Sequence, residues 1–209
     1  MVRKGKDVSV PLYRYRTLSW PLRFVFLLFS ICGVLAAIYQ LFHFNFLGVM
    51  AGNGYYYLLI ALFLPLSFLI FPAYKNCNQD QVPWYDLLFA TLAFATAFYF
   101  YVHCYEMVEE GWEIMPPSVT YVVGLILGIL ILEAARRAGG NLFALICILL
   151  ALYPLFAHHM PGIMKGYSVG LRRLVGFFTM ATEGLVGLPM RVVGKILIGY
   201  MVFLSLIHI

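Results

Sequence analysis

Residues Tyr121–Gly140 read "YVVGLILGILILEAARRAGG". Eleven uncharged residues run to Ile131, then Glu133, Arg136 and Arg137 arrive together and Gly139–Gly140 closes the run. Three structures suit such a pattern: a catalytic cluster in an apolar pocket, an ion pair in a core, or the end of a helix lying in a membrane. The composition of the whole chain separates them. Of 209 residues, 63% are hydrophobic and 11% charged, whereas a water-soluble domain carries about 25% charged residues. So few charges cannot cover a water-facing surface, so lipid is the natural solvent for most of the chain.

A helix needs roughly 20 apolar residues to cross the hydrocarbon layer. Five blocks meet or approach that length: Pro21–Phe42, Tyr55–Phe71, Trp84–Cys104, Ser118–Ala135 and Leu142–Ala157. A sixth, interrupted block begins near Leu174. The expected fold is therefore all-α and polytopic: about five transmembrane helices followed by a broken or re-entrant C-terminal segment. The first block is too long for a secretory signal and has no small-residue cleavage site after it.

The charges orient the spans. Arg3, Lys4, Lys6, Arg14, Arg16 and Arg23 lie in or near the N-terminal tail. The connection 43–54 has no Lys or Arg, 72–83 has Lys75, "YEMVEEGWEIMPP" has none, and Arg136 and Arg137 follow the fourth span. This alternation places the N-terminus in the cytoplasm. The net charge of +5 would raise nucleic acid in a soluble protein, but here the basic residues mark span ends, and no nucleic-acid partner is expected. Glu106, Glu109, Glu110 and Glu113 read as a solvated turn.

Trp20, Tyr55–Tyr56–Tyr57 and Trp84–Tyr85 fall at expected interfaces, where an apolar ring with a polar tip is at home. Pro83 and Asp86 in "PWYD" suit a helix start, with the acid near the positive end of the helix dipole. Gly124 and Gly128 form a GxxxG pair, which lets helices approach closely in lipid. Glu133 precedes Arg136 and Arg137 by three and four positions, so all three share a helical face in the favourable order. The arginines also meet the negative end of the dipole and can snorkel towards headgroups, while either terminal glycine can end the helix. These features make Glu133, Arg136 and Arg137 a cytoplasmic helix-end ion pair.

The C-terminal third is more polar. "HHMPGIMKGYSVGLRRLVGFF" predicts an amphipathic interfacial helix from Ser168. In "TMATEGLVGLPMRVVGKILIGYMVF", Glu183, Gly184, Gly187 and Pro189 interrupt an apolar run. Irregular backbone at membrane depth persists only where protein buries it or it lines a wet cavity, and transporters build sites at such breaks. An ordinary kinked helix with an interfacial Glu fits the same residues.

The chain has no P-loop, HExxH or GxGxxG signature. Adjacent residues on a helix diverge, so His158–His159 is no chelating pair and His103–Cys104 no catalytic dyad. Four cysteines (Cys32, Cys77, Cys104, Cys147) have no metal or disulfide spacing.

At "LEAARRAGG", "PWYD" and "YSVGLRRLVGFFTMATEGLVGLP" the chain resembles the fused permease of TRAP (tripartite ATP-independent periplasmic) transporters, of the type associated with TAXI binding proteins. The likeness extends over most of residues 15–203. It implies a non-enzymatic, multi-pass permease of a bacterial or archaeal inner membrane. A periplasmic solute-binding protein would deliver organic acids or related small solutes, and sodium would be the coupling ion, with no other cofactor. It also implies three parts: a basic cytoplasmic tail (1–19), a small-subunit-like scaffold (20–116) and the start of a large-subunit-like transport domain (117–209), whose remainder would be a partner. Thr182, Glu183, Gly184, Gly187 and Pro189 would form a re-entrant hairpin on the substrate and ion path. Arg191 and Lys195 depart from the small or apolar residues expected there. The alternative is an accessory membrane protein that binds partner helices and transports nothing.

Overall fold

The computed structural model describes residues 16, 18–42, 53–73, 82–162 and 165–208. Most of the basic tail, Lys75, Cys77 and the connection 43–52 lie outside them. The described chain is helical, and five of its helices are long and apolar enough to cross a membrane. The elements are α1 (Trp20–Phe42), α2 (Gly54–Ile70), α3 (Trp84–Val102), the short α4 (Cys104–Glu109), α5 (Ser118–Gly139), α6 (Asn141–Phe156), α7 (Leu171–Met180), α8 (Leu188–Arg191) and α9 (Ile198–Ile207), with a π-helical turn at Val192–Leu197 joining the last two. The fifth spanning-length stretch is Leu188–Ser205, while α2, at 17 residues, is the shorter apolar helix. Trp20 and Trp84, at the starts of α1 and α3, are both exposed, as interfacial rings should be.

Local chemistry sets the boundaries. Pro83 and Pro117 precede α3 and α5 with extended backbone, and the helices begin where the proline ring no longer matters. Gly140, at φ +91°, ends α5 and turns the chain directly into α6, a conformation glycine adopts without strain. The glutamates do not all lie in a turn, because residues 104–109 continue helically beyond α3 as α4.

The bundle has two core layers. One gathers Phe68, Leu69, Ala90, Ala93, Leu130 and Ala134, joined by Phe26 and Phe29 of α1. The other gathers Ala37, Tyr55–Tyr57, Ala97, Phe100, Trp112 and Leu127. Helices α1, α2, α3 and α5 each contribute to both layers and alternate in direction. One end of the bundle therefore carries the arginines in the last turn of α5, and the other carries the glutamates after α3.

The tyrosine run departs from its interfacial expectation. Tyr55, Tyr56 and Tyr57 are almost fully buried. Tyr57 stacks on Phe100 with ring centroids 5.3 Å apart. Their hydroxyls find backbone carbonyls, as buried tyrosines need to: Tyr55 donates to Gly194 at 3.0 Å and Tyr57 to Thr179 at 2.6 Å.

The arginine end is closed by charge. The Asp86 carboxylate, with no exposed surface, accepts from Arg16 Nη1 at 2.5 Å on one oxygen and from Arg137 Nη1 at 2.7 Å on the other. Arg137 reaches back to Glu133 through Nε at 2.8 Å, and Arg136 engages the same carboxylate at 2.6 and 2.8 Å. Both arginines also point at carbonyls just past α2, Arg137 at Phe71 and Arg136 at Ala73, while Arg16 N–H donates to Ile70. The Arg137 guanidinium lies 5.0 Å from the centre of the Phe68 ring and 5.5 Å from that of Phe89.

The expected ion pair is thus present, and two further expectations are corrected. Arg137 does not snorkel outwards: its side chain is 1% exposed and turned into the bundle. Asp86 does more than sit in a helix's first turn, since it bridges two buried arginines. Solvating a buried carboxylate requires such partners, because bare burial is far too costly. Asp86→Ala would strand both arginines and should cost about 3–5 kcal/mol of stability, read as a lower melting temperature in detergent. Arg16→Met with Asp86→Leu and Arg137→Met should recover most of that loss. An Asp86→Ala protein as stable as the parent would contradict this account.

Candidate functional site

Among the described residues, the chain after α6 is the most irregular part. A 3₁₀ turn at Ala157–His159 directly follows α6, and the Val169 N–H donates back to Pro154. The amphipathic helix begins at Leu171, not at Ser168, because 168–170 lies outside the helix and Gly170 has extended backbone. Arg172 donates to Ser118 Oγ at 3.1 Å. Gly176 passes so close to the Trp112 and Glu113 carbonyls that a methyl group there would collide with backbone. Helix α7 therefore enters at the glutamate end.

It goes in a limited way. Thr179 and Met180 pack against Gly124, and the Thr179 methyl lies 3.8 Å from where a Gly128 Cβ would stand. The GxxxG pair is thus the seat of α7, roughly 9–15 Å from Ser118 along α5 at about 1.5 Å per residue. The helix stops at Met180, and the chain turns through Ala181–Gly187. Val186 lies in the core layer next to the glutamate end, with Met190 and Ile198 packed against it. Gly194 meets Tyr55 and Leu59 near the start of α2, and Gly199 meets Leu41 near the end of α1. Contacts before and after the turn thus fall on the same half of the bundle.

The turn depends on its glycines. The Leu185 N–H donates to Phe178 at 3.0 Å, and the Gly184 and Gly187 N–H groups donate to Ala181 and Gly184 at 3.1 and 3.2 Å. A Cβ at Gly184 would overlap the Phe177 carbonyl oxygen, and one at Gly187 the Thr182 carbonyl oxygen. Pro189 occupies the first turn of α8, where its missing N–H is harmless.

Beside the turn lies an open groove of about 760 Å³. Thr182 and Glu183 line it with Arg173, Glu113, Tyr167 and Ser168 over an apolar floor that includes Phe177. Two of the sequence-expected residues, Thr182 and Glu183, face the groove, while Gly184, Gly187 and Pro189 shape the backbone behind it. The ion-paired Glu133, Arg136 and Arg137 sit at the far end of the bundle and take no part. Arg173 was legible only as one of several basic residues, since its place in the groove with Glu113 depends on how α7 docks. An arginine, two carboxylates, hydroxyls and an apolar wall can hold a small charged solute by charge-assisted hydrogen bonds.

Other polar groups lie apart from the groove. His103 bonds the Tyr99 carbonyl through Nδ1 at 2.9 Å and stacks on the Tyr99 ring. Burial pushes the neighbouring Cys104 thiol up from its ordinary value, the reverse of what a nucleophilic thiolate requires. Among the described residues no group of three or more His, Cys, Asp or Glu side chains is placed to hold a metal.

Gly187→Ala should disorder the turn, raising amide hydrogen exchange across 181–190 and lowering the melting temperature. Gly170→Ala, where a methyl group meets open space, should do neither. Equal behaviour of the two variants would show that the turn geometry is unimportant. Compared with known proteins, the chain matches no family model, no curated protein and no solved structure.

Proposed function

We propose that the chain is a membrane permease component of a sodium-driven secondary uptake system. In this reading it takes organic acids or related small solutes from a periplasmic binding protein and lies in a bacterial or archaeal inner membrane with the N-terminus cytoplasmic. The observation that carries the reading is the break at Ala181–Gly187, whose two arms contact the same half of the bundle beside a groove containing Arg173. A broken helix puts unpaired backbone groups and oriented helix ends at a wet site, which is how secondary transporters hold solutes and ions. The resemblance of "TEGLVGLP" and "LEAARRAGG" to TRAP fused permeases supplies the substrate class, the coupling ion and the binding-protein partner.

Arg173 is the group best suited to a substrate carboxylate, because a guanidinium matches that anion in charge and in fork geometry. The glutamate end would then face the periplasm, with Glu113 and Tyr167 among the residues lining the groove.

Proteoliposomes holding the complete permease should accumulate labelled organic acids only with an inward sodium gradient and the binding protein present. Arg173→Ala should raise KM by about tenfold, the loss expected for one hydrogen bond to a charged group, and Arg173→Lys should restore part of it. Uptake indifferent to sodium and to the binding protein would refute the proposal. A complete permease that folds but moves no solute would favour the accessory role.

A further inference from the structure

The helix from Leu188 to Ile207 is not uniform. Its middle, Val192–Leu197, is wound as a π-helix, with α-helix on either side. A π-turn accommodates an extra residue and leaves backbone carbonyls poorly matched to the α pattern, and such turns are concentrated at functional sites. Here Gly194, inside the turn, is buried, and its carbonyl oxygen accepts a 3.0 Å hydrogen bond from the Tyr55 hydroxyl. The approach is close enough that a Cβ at Gly194 would lie 2.9 Å from both the Tyr55 ring and the Leu59 side chain. Two residues along, Tyr57 donates to Thr179 in the last turn of α7, where carbonyls lose their helical partners. Neighbouring tyrosines of α2 therefore hold one carbonyl before the Ala181–Gly187 break and one after it.

We propose that the Val192–Leu197 turn is a rotary switch and that the Tyr55 hydroxyl is its catch. Relaxing a π-turn to α-helix shifts the register beyond it by one residue. At 3.6 residues per turn this rotates everything downstream by about 100°. Tyr55 favours the π form because its hydroxyl needs the carbonyl that the wide turn presents. Release turns α9 relative to α8 and carries Gly199 away from Leu41, which a Cβ at Gly199 would meet at 3.3 Å. The Tyr57 bond to Thr179 stays in place, so α7 keeps its seat on Gly124 and Gly128 while α9 turns. The conformational change is thus confined to the arm after the break, and it needs no unfolding of the bundle.

Crosslinking in membranes tests the switch. In the full chain with its native cysteines replaced, Leu41→Cys with Gly199→Cys reports on α9, and Gly128→Cys with Thr179→Cys reports on α7. With Tyr55 present, both pairs should crosslink efficiently under a short thiol-specific reagent. Tyr55→Phe, which removes only the hydroxyl, should reduce the 41–199 crosslink by about two- to threefold, because a single neutral hydrogen bond shifts the equilibrium constant roughly fivefold from a π form that is already well populated. The 128–179 crosslink should be unchanged, and Tyr57→Phe should spare the 41–199 pair. An undiminished 41–199 crosslink in Tyr55→Phe would overturn the proposal. So would equal loss of both crosslinks, which would make Tyr55 a general packing residue.

Discussion

One carboxylate, Asp86, shared by two buried arginines, sets the rest of the structure. Arg16 comes from the segment before α1, Asp86 from the first turn of α3 and Arg137 from the last turn of α5, and the two arginines also reach backbone carbonyls at or just past the end of α2. Four parts of the chain thus converge on one point. Buried ion pairs are not strong net stabilisers when compared with apolar packing. What they do supply is discrimination, because any other register of these helices strands a charge where water cannot reach it. Lipid provides no hydrophobic push between helices, so a directional, all-or-none contact is an effective way to select one arrangement.

Fixing the arginine end leaves the glutamate end to do something different. There the core is lined by tyrosines whose hydroxyls are satisfied by carbonyls of the last third of the chain. The contacts of α7, of the glycine turn and of Gly194 and Gly199 after it fall on this half. The division explains why irregular backbone is tolerated: the break rests on a bundle that is tied together elsewhere. It also explains the distribution of glycines, with Gly124 and Gly128 admitting α7, Gly184 and Gly187 permitting the turn, and Gly194 letting α2 approach the π-turn.

Much of this was legible in the sequence. Apolar block length located the helices to within a few residues, and the i, i+3 and i, i+4 spacing of Glu133, Arg136 and Arg137 gave their mutual contacts, since both signals are local. The bridge from Arg137 to Asp86 spans 51 positions and the one to Arg16 spans 70, and no periodicity encodes such a pairing. A signal was nevertheless present, because an acid at the start of an apolar span demands a partner. Tyr55–Tyr57 misled for a physical reason: a tyrosine suits a wet interface and a dry core with a waiting carbonyl equally well, and only the fold reveals the carbonyl. The composition of Glu183–Pro189 allowed either a break or a kinked helix, and the groove beside it was not readable at all, because Glu113, Pro154, Tyr167 and Arg173 meet only once α7 has docked.

The central claim is that the chain enters and leaves the bundle by the glutamate end around the Ala181–Gly187 turn. Sidedness of labelling tests it directly. Single cysteines in place of Glu110, Gly140, Tyr167 and His208, in a chain stripped of its native cysteines, can be exposed in intact cells to a maleimide that does not cross membranes. The account predicts that positions 110, 167 and 208 react from one side and position 140 only from the other. Labelling of position 208 from the same side as 140 would mean that the final helix crosses the membrane, and would contradict the account.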